Sequence, residues 1–277
     1  MQLHFYIVAL SFLFLNSRFL TECHYKHFGK MFYIDNPFDL PPPCIKGAKP
    51  PSITLFIDLD ETLVDARHTS YIVLRPHAKY FIESLSKSGF ELIIWSAASK
   101  EHVIACCKLL DPDEKYLSGA IHMGFWTVEY GIVTKNLNSA TSFRSIDRML
   151  LLDNTPYVGR YLPTNIVCIP DFISNEQSQY DDMLYDLVSF MQNVQCVVLC
   201  KRKSVQDVIQ HHENIRVLQS NFGSAGSCMW SIFIPQAVID KSSQKASNDV
   251  HTQQISDASS ANSDDDCFVN VPLDMNI

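Results

Sequence analysis

Four short apolar runs limit what this chain can become. Ile53–Ile57, Leu92–Trp95, Met149–Leu152 and Ile166–Ile169 are four or five residues long and almost wholly apolar, with Thr54 the exception. A strand with one wet face alternates apolar and polar residues. A run that does not alternate is buried on both faces, as strands inside a parallel sheet are. Helical patterns separate the runs. His77–Ser88 carries Phe81, Ile82 and Leu85 and is stopped by Gly89; Lys100–Leu110 is halted by Asp111-Pro112; a third helix spans about Tyr180 to Val194. Strands alternating with helices predict an α/β chain with right-handed crossovers, three layers and a central, mainly parallel sheet. Gly119–Thr134 has aromatic and β-branched residues without helical period, so a small β insertion is expected there.

The flanks have a different character. Phe5–Leu15 is apolar except for Ser11, and Arg18 closes the stretch, so residues 1–30 read as a hydrophobic leader or membrane anchor. The alternative is a start at Met31. Prolines at 41–43 and 50–51 mark residues 31–50 as a stiff connector. Residues 51–200 hold the regular pattern, 201–240 form an extension with a helix near Ser204–His212 and a late strand at Trp230–Ile234, and 241–277 read as a disordered acidic tail. Of the formal net charge of −8, six Asp against two Lys in that tail account for −4. No clustered Lys and Arg remain to bind nucleic acid, so direct nucleic-acid binding is not expected. The nine cysteines include no Cys-x-x-Cys pair, which excludes a zinc ribbon or a thioredoxin-like redox site. Cys106-Cys107 read as buried small hydrophobes, and the adjacent His211-His212 lack the spacing of a metal pair.

Three of the four apolar runs end in polar residues: Asp58, Ser96 and Asp153-Asn154. Ligands of a doubly wound sheet bind beyond the carboxyl ends of the strands, so these residues are expected to converge on one edge. Asp58 and Asp60 are two positions apart at a strand end. One carboxylate there can attack as a nucleophile while the other handles protons. So acidic a pocket repels phosphate unless a cation is present, and Mg²⁺ held by oxygens suits it. Asp181-Asp182 is read as a helix N-cap.

Asp58-Leu59-Asp60-Glu61-Thr62-Leu63-Val64 resembles the first motif of the haloacid-dehalogenase superfamily. More narrowly, it is similar to the phosphatases acting on the RNA polymerase II C-terminal domain and their small and membrane-anchored relatives. Further landmarks follow in order: Arg75-Pro76, then Trp95-Ser96-Ala97-Ala98, Lys135, and Leu152-Asp153-Asn154-Thr155-Pro156. Ser96 stands where Thr is frequent, Asn136 where Asp commonly follows the lysine, and the usual Arg-x-x-Cys pattern of the insertion is absent.

The resemblance implies a Rossmann-like haloacid-dehalogenase fold and a Mg²⁺-dependent phosphatase acting on Ser- or Thr-phosphorylated protein segments. Asp58 would be the nucleophile that becomes aspartyl-phosphate, and Asp60 the general acid and base. Thr62, Ser96 and Lys135 would serve the phosphate, with Thr62 also buttressing the loop. Mg²⁺ would be held by Asp58, the Asp60 main-chain carbonyl and Asn154, with Asp153 supporting that shell. Phe125, Trp126 and Tyr130 would shape a peptide groove or pack in the core. The alternative is a membrane-anchored protein-import translocase subunit or scaffold of the same fold; retention of both carboxylates favours the enzyme. Membrane contact would run through residues 1–20. Location stands between a membrane (nuclear envelope, ER or mitochondrial inner membrane) and a nuclear or cytoplasmic site.

Overall fold

The computed structural model describes residues 31–43, 52–67, 71–122, 127–129, 132–221, 227–236 and 238–239. The leader, the prolines at 50–51, Phe125, Trp126, Tyr130 and the acidic tail lie outside the described residues. The chain divides into two units, one ending at Pro235 and one running from Gln236; the fold is that of the first.

Its centre is an eight-stranded sheet. The strands are β1 (Phe32–Ile34), β2 (Ile53–Ile57), β5 (Phe90–Trp95), β6 (Gly119–Ile121), β9 (Met149–Asp153), β10 (Ile166–Cys168), β11 (Ile215–Asn221) and β12 (Ser227–Phe233). Two small antiparallel pairs complete the count: β3 (Val64–Asp65) with β4 (Val73–Leu74), and β7 (Thr127–Glu129) with β8 (Ile132–Thr134). The sheet order is β1-β6-β5-β2-β9-β10-β12-β11, parallel throughout except for β11.

The uninterrupted apolar runs are explained by burial on two sides. Successive side chains of a strand point to opposite faces. Leu55, Ile57, Leu92, Ile94, Leu150, Leu152 and Val167 enter one core, while Phe56, Ile93, Trp95, Met149, Leu151 and Ile166 enter the other. The first core is covered by the helices α1 (Ala78–Lys87), α2 (Lys100–Leu110), α3 (Met183–Lys201) and α4 (Val205–Ile209). The second is closed largely by Leu40, Leu137, Ala140 and Val158 from short turns, with Phe56 and Trp95 meeting edge to face at 5.4 Å. Each fully buried aliphatic side chain here contributes about 1.5–3 kcal/mol relative to exposure.

Several elements differ from the sequence expectation. Phe32–Ile34, inside the stretch read as connector, is the edge strand β1 and pairs with Gly119–Ile121; a three-residue strand is too short to show a period. Residues read as an extension carry β12, which pairs with β10 within the main sheet, and its hairpin partner β11. Helix α3 runs to Lys201 rather than stopping near Val194. It is long and apolar enough to cross a membrane by length and composition, yet Leu184, Leu187, Val188, Met191, Val194 and Val198 pack into the core. Helix α1 ends as expected, with Gly89 just past it at φ +95°, where a side chain would be strained.

One polar cluster lies inside the sheet. Glu91 accepts from Thr54 Oγ1 at 2.7 Å and from Arg144 Nε and Nη2, both at 2.7 Å. Thr54 sits near the start of β2, so this buried pair fastens the sheet at the edge opposite Asp58. The other edge carries the polar strand ends.

Candidate active site

Parallel register brings the strand ends together. Ile57 pairs with both Ile94 and Leu152, and the ladder continues as Asp58 N donates to Leu152 O at 2.9 Å. Asp58, Ser96 and Asp153-Asn154 therefore leave the sheet on one edge. After Asp58 the chain turns tightly: Leu59 O accepts from Leu63 N at 2.9 Å and Val64 N at 3.1 Å, and Glu61 takes a positive φ of 58°. Such a conformation costs a non-glycine residue about 1 kcal/mol; Glu61 O is held by Phe172 N at 2.6 Å. Burial, followed by the charges of Asp60 and Asp58, raises the Glu61 carboxyl above its ordinary value.

Lys135 arrives from the insertion. It directly follows β8, its N donates to Val158 O at 2.7 Å, and only 3% of its side chain is exposed. Its Nζ donates to Asp58 Oδ1 at 2.5 Å and to Asp153 Oδ2 at 2.7 Å. Burial works against the ammonium, but Asp153 and Asp58 outweigh it and the group titrates above its ordinary value. Asp153 Oδ1 accepts from Thr155 N at 2.8 Å. Burial pushes the Asp153 carboxyl up to about 7, with Lys135 pulling the other way and Asp58 adding to the rise. Two carboxylates against one ammonium leave this cluster with net charge −1 when all three are ionised.

Asp60 has a separate set of partners. Ser96 Oγ donates to Asp60 Oδ2 at 3.2 Å and accepts from Ala98 N at 3.0 Å. His102 Nε2 lies 2.7 Å from Asp60 Oδ1. Thr62 is fully buried and its hydroxyl donates to Asn154 Oδ1 at 3.3 Å, which suits the buttress more than a direct phosphoryl contact. Asn154 Nδ2 donates to Asp171 Oδ1 at 2.9 Å, which fixes the amide so that its oxygen faces the loop.

Sequence reasoning missed His102 and Asp171. Asp171 lies two residues beyond the fourth apolar run, so the strand-end rule already pointed to it. His102 sits in the first turn of α2 and carries no local signal. Arg75 does more than open a helix: it is buried, its Nη1 donates to Thr62 O at 3.2 Å and Pro170 O at 3.0 Å, and its Nε pairs with Asp181 at 2.9 Å. Asp181 Oδ1 accepts from Met183 N at 2.9 Å, whereas Asp182 at the N-cap itself makes no side-chain cap bond and faces His77 instead.

The loop that carries Asp60 is anchored by Asp65. Its carboxylate accepts from Arg67 N, Nε and Nη2 and from Ser174 N and Oγ, at 2.6 to 3.2 Å. The Arg67 guanidinium, with help from Ser174 and against burial, holds this carboxyl well below the usual carboxylate range. Asp65→Asn puts an NH₂ against those donors and is expected to cost about 2–3 kcal/mol. Because the folded value lies below the unfolded one, the contribution is complete above the ordinary carboxylate range of about 4 and is lost as pH falls below it. Urea unfolding of both proteins should show a constant gap from pH 8 to 5 that narrows in stronger acid. A gap independent of pH would contradict this assignment.

The available donors near Asp58 are hard oxygens: the Asp58 carboxylate, the Asp60 main-chain carbonyl and Asn154 Oδ1, which retains a lone pair beside Thr62. Among the described residues no three His, Cys, Asp or Glu side chains form a metal-binding group, so nitrogen–sulfur ligation of the zinc kind is not offered there. Oxygen donors with surplus negative charge fit a small divalent cation.

Asp-x-Asp, a hydroxyl and Asp-Asn at the ends of parallel strands, joined by a lysine from the insertion, are the arrangement that the resemblance to the haloacid-dehalogenase superfamily implies. The family model described as NLI interacting factor-like phosphatase matches residues 53–207, more than half of the chain, and the chain belongs to that family. It is 25% identical over 191 residues to CTD small phosphatase-like protein 3 of Caenorhabditis elegans, covering 62% of this chain and 63% of that one. It is 25% identical over 149 residues to the CTD nuclear envelope phosphatase 1 homolog of Drosophila melanogaster, covering 44% and 60%. Over 171 residues it is 25% identical to the human carboxy-terminal domain RNA polymerase II polypeptide A small phosphatase 1, covering 55% and 63%. The chain thus spans somewhat over half the length of these relatives.

Proposed function

We propose that this chain is a Mg²⁺-dependent phosphatase of Ser- or Thr-phosphorylated protein segments. The observation that carries the reading is the buried Lys135 shared by Asp58 and Asp153, with Asp60 beside it on the same sheet edge. The family, and relatives whose names call them CTD or nuclear envelope phosphatases, support it.

An Asp58 carboxylate oxygen attacks phosphorus and the bond from phosphorus to the seryl or threonyl oxygen breaks. Asp60 gives its proton to that departing oxygen, leaving an aspartyl-phosphate on Asp58. Asp60 then takes a proton from water, whose oxygen attacks phosphorus and frees Asp58 and inorganic phosphate. Lys135 and Ser96 donate to phosphoryl oxygens as charge accumulates on them. Asp153 orients Lys135, and Thr62 and Asp171 orient Asn154. Asp58, the Asp60 carbonyl and Asn154 would hold Mg²⁺, which when bound neutralises phosphoryl charge. Only 39 positions (135 minus 96) separate Ser96 from Lys135, too few for a large cap, so an open site and a macromolecular substrate are the better fit. Membrane attachment through residues 1–20 would place the enzyme as the nuclear envelope relatives are named.

The test is hydrolysis of p-nitrophenyl phosphate by the full chain with Mg²⁺ and after chelation. We expect turnover with metal and a loss of roughly 100-fold or more without it, the size of several kcal/mol of charge stabilisation. Absence of turnover from a folded preparation in either condition would point to the scaffold reading.

A further inference from the structure

We infer that His102 is the positioning residue of Asp60, an inference that rests on the phosphatase reading of Asp60. The Asp60 carboxyl has a separate partner at each oxygen: His102 Nε2 at 2.7 Å from Oδ1 and Ser96 Oγ at 3.2 Å from Oδ2. Before substrate binds, two anchors on opposite oxygens hold the carboxyl; once the single Ser96 hydroxyl hydrogen turns to a phosphoryl oxygen, His102 is the anchor that remains. With the imidazole hydrogen on Nε2, Oδ1 accepts from His102 both when Asp60 is a carboxylate and when it carries a proton on Oδ2. His102 is itself held: its backbone N donates to the N-cap hydroxyl of Ser99 at 3.3 Å, and at the ring the Cys106 sulfur one turn later is 3.5 Å from Nε2. The Asp60 and His102 side chains are each about a quarter exposed (25% and 26%), so the pair stays largely out of water while remaining open to a substrate.

A general acid helps in proportion to how much proton the departing oxygen needs. A nitrophenolate leaves almost unaided, whereas a seryl alkoxide must be protonated as its bond to phosphorus breaks. Formation of the aspartyl-phosphate governs kcat/KM, so misaligning Asp60 penalises poor leaving groups selectively in that ratio, while a general loosening of the site penalises all substrates alike. The role of Asp60 as base in the second step, common to all substrates, shows in kcat instead.

The test uses the full chain and compares wild type, His102→Phe and His102→Gln on p-nitrophenyl phosphate, phenyl phosphate and a phosphoserine peptide. Phenylalanine keeps the ring and loses the hydrogen bond; glutamine carries an N–H at about the reach of Nε2. Expected for His102→Phe is a fall in kcat/KM of roughly 10- to 100-fold on the phosphoserine peptide and phenyl phosphate. The fall on p-nitrophenyl phosphate should be severalfold smaller, with much of the loss restored in His102→Gln. If His102→Phe does not fold, His102→Asn, too short to reach Asp60, takes its place with the same expected dependence on the leaving group. Equal losses of kcat/KM across the three substrates overturn the inference and leave the phosphatase reading intact. A wild-type chain inactive on all three overturns both.

Discussion

Asp58→Asn is expected to leave a folded chain whose turnover of p-nitrophenyl phosphate is down on the order of 10⁴-fold or more, because in the proposed mechanism no other group accepts the phosphoryl bond. Folding and catalysis separate cleanly at this position. In the wild type Lys135 serves Asp58 and Asp153 together, and the buried trio carries net −1 when all three groups are ionised. The amide removes one negative charge, Lys135 keeps Asp153, and the cluster becomes neutral. Stability of the metal-free variant is therefore expected to equal or exceed that of the wild type in urea unfolding. Measured together, the two quantities distinguish an attacking group from a structural one. A variant retaining a tenth of the wild-type rate would remove Asp58 from the role of nucleophile.

Lys135→Met is expected to act on both quantities. It leaves two carboxylates in the interior without their cation, and breaking a buried pair in this way costs about 3–5 kcal/mol. It also removes a donor to the phosphoryl group, worth about 10²–10³ in kcat. The stability loss should depend on pH with a definite sign. Burial already pushes Asp153 up to about 7 in the folded protein, above its unfolded value. The native state thus binds the extra proton, and stability from this group rises as pH falls from 7 towards 4. Without the lysine that lowers it, the effect grows, so the variant should recover more than the wild type over that range. Added Mg²⁺ should restore part of the loss as well. A stability change under about 1 kcal/mol at pH 7 would show that Lys135 is not the charge that holds these acids together.

The sheet was legible because burial on two faces leaves a residue pattern that can be read locally. The same holds for Asp58, Ser96 and Asp153-Asn154, which announce themselves by ending an apolar run. Lys135 was different: a lysine after a short β segment is ordinarily solvated, and only resemblance to a family singled it out. His102 and Asp60 are 42 positions apart, and Arg75 and Asp181 are 106 apart. Nothing local encodes such pairs; they exist once the strands are in register. Strand β1, strand β11 and the membership of β12 in the main sheet escaped for another reason, although a late strand at Trp230–Ile234 was legible. These strands lie towards the sheet's edges, β11 with Val217 exposed, and short or half-wet strands lack the continuous apolar signature.

The order of the strands also sets a timetable. Thr54 of β2 pairs with Met149 of β9, 95 positions later (149 minus 54). A ribosome adding roughly 5–20 residues per second needs about 5–20 seconds to cross that interval. Once β5 has emerged, β2 has that strand on one side and bare backbone on the other. The Leu and Ile side chains destined for two dry interiors wait in water for the strand that completes them. Non-local parallel pairing of this kind is slow and exposed to aggregation. Yield of this protein in a foreign cell should thus follow temperature and chaperone supply during synthesis more closely than the stability of the finished fold.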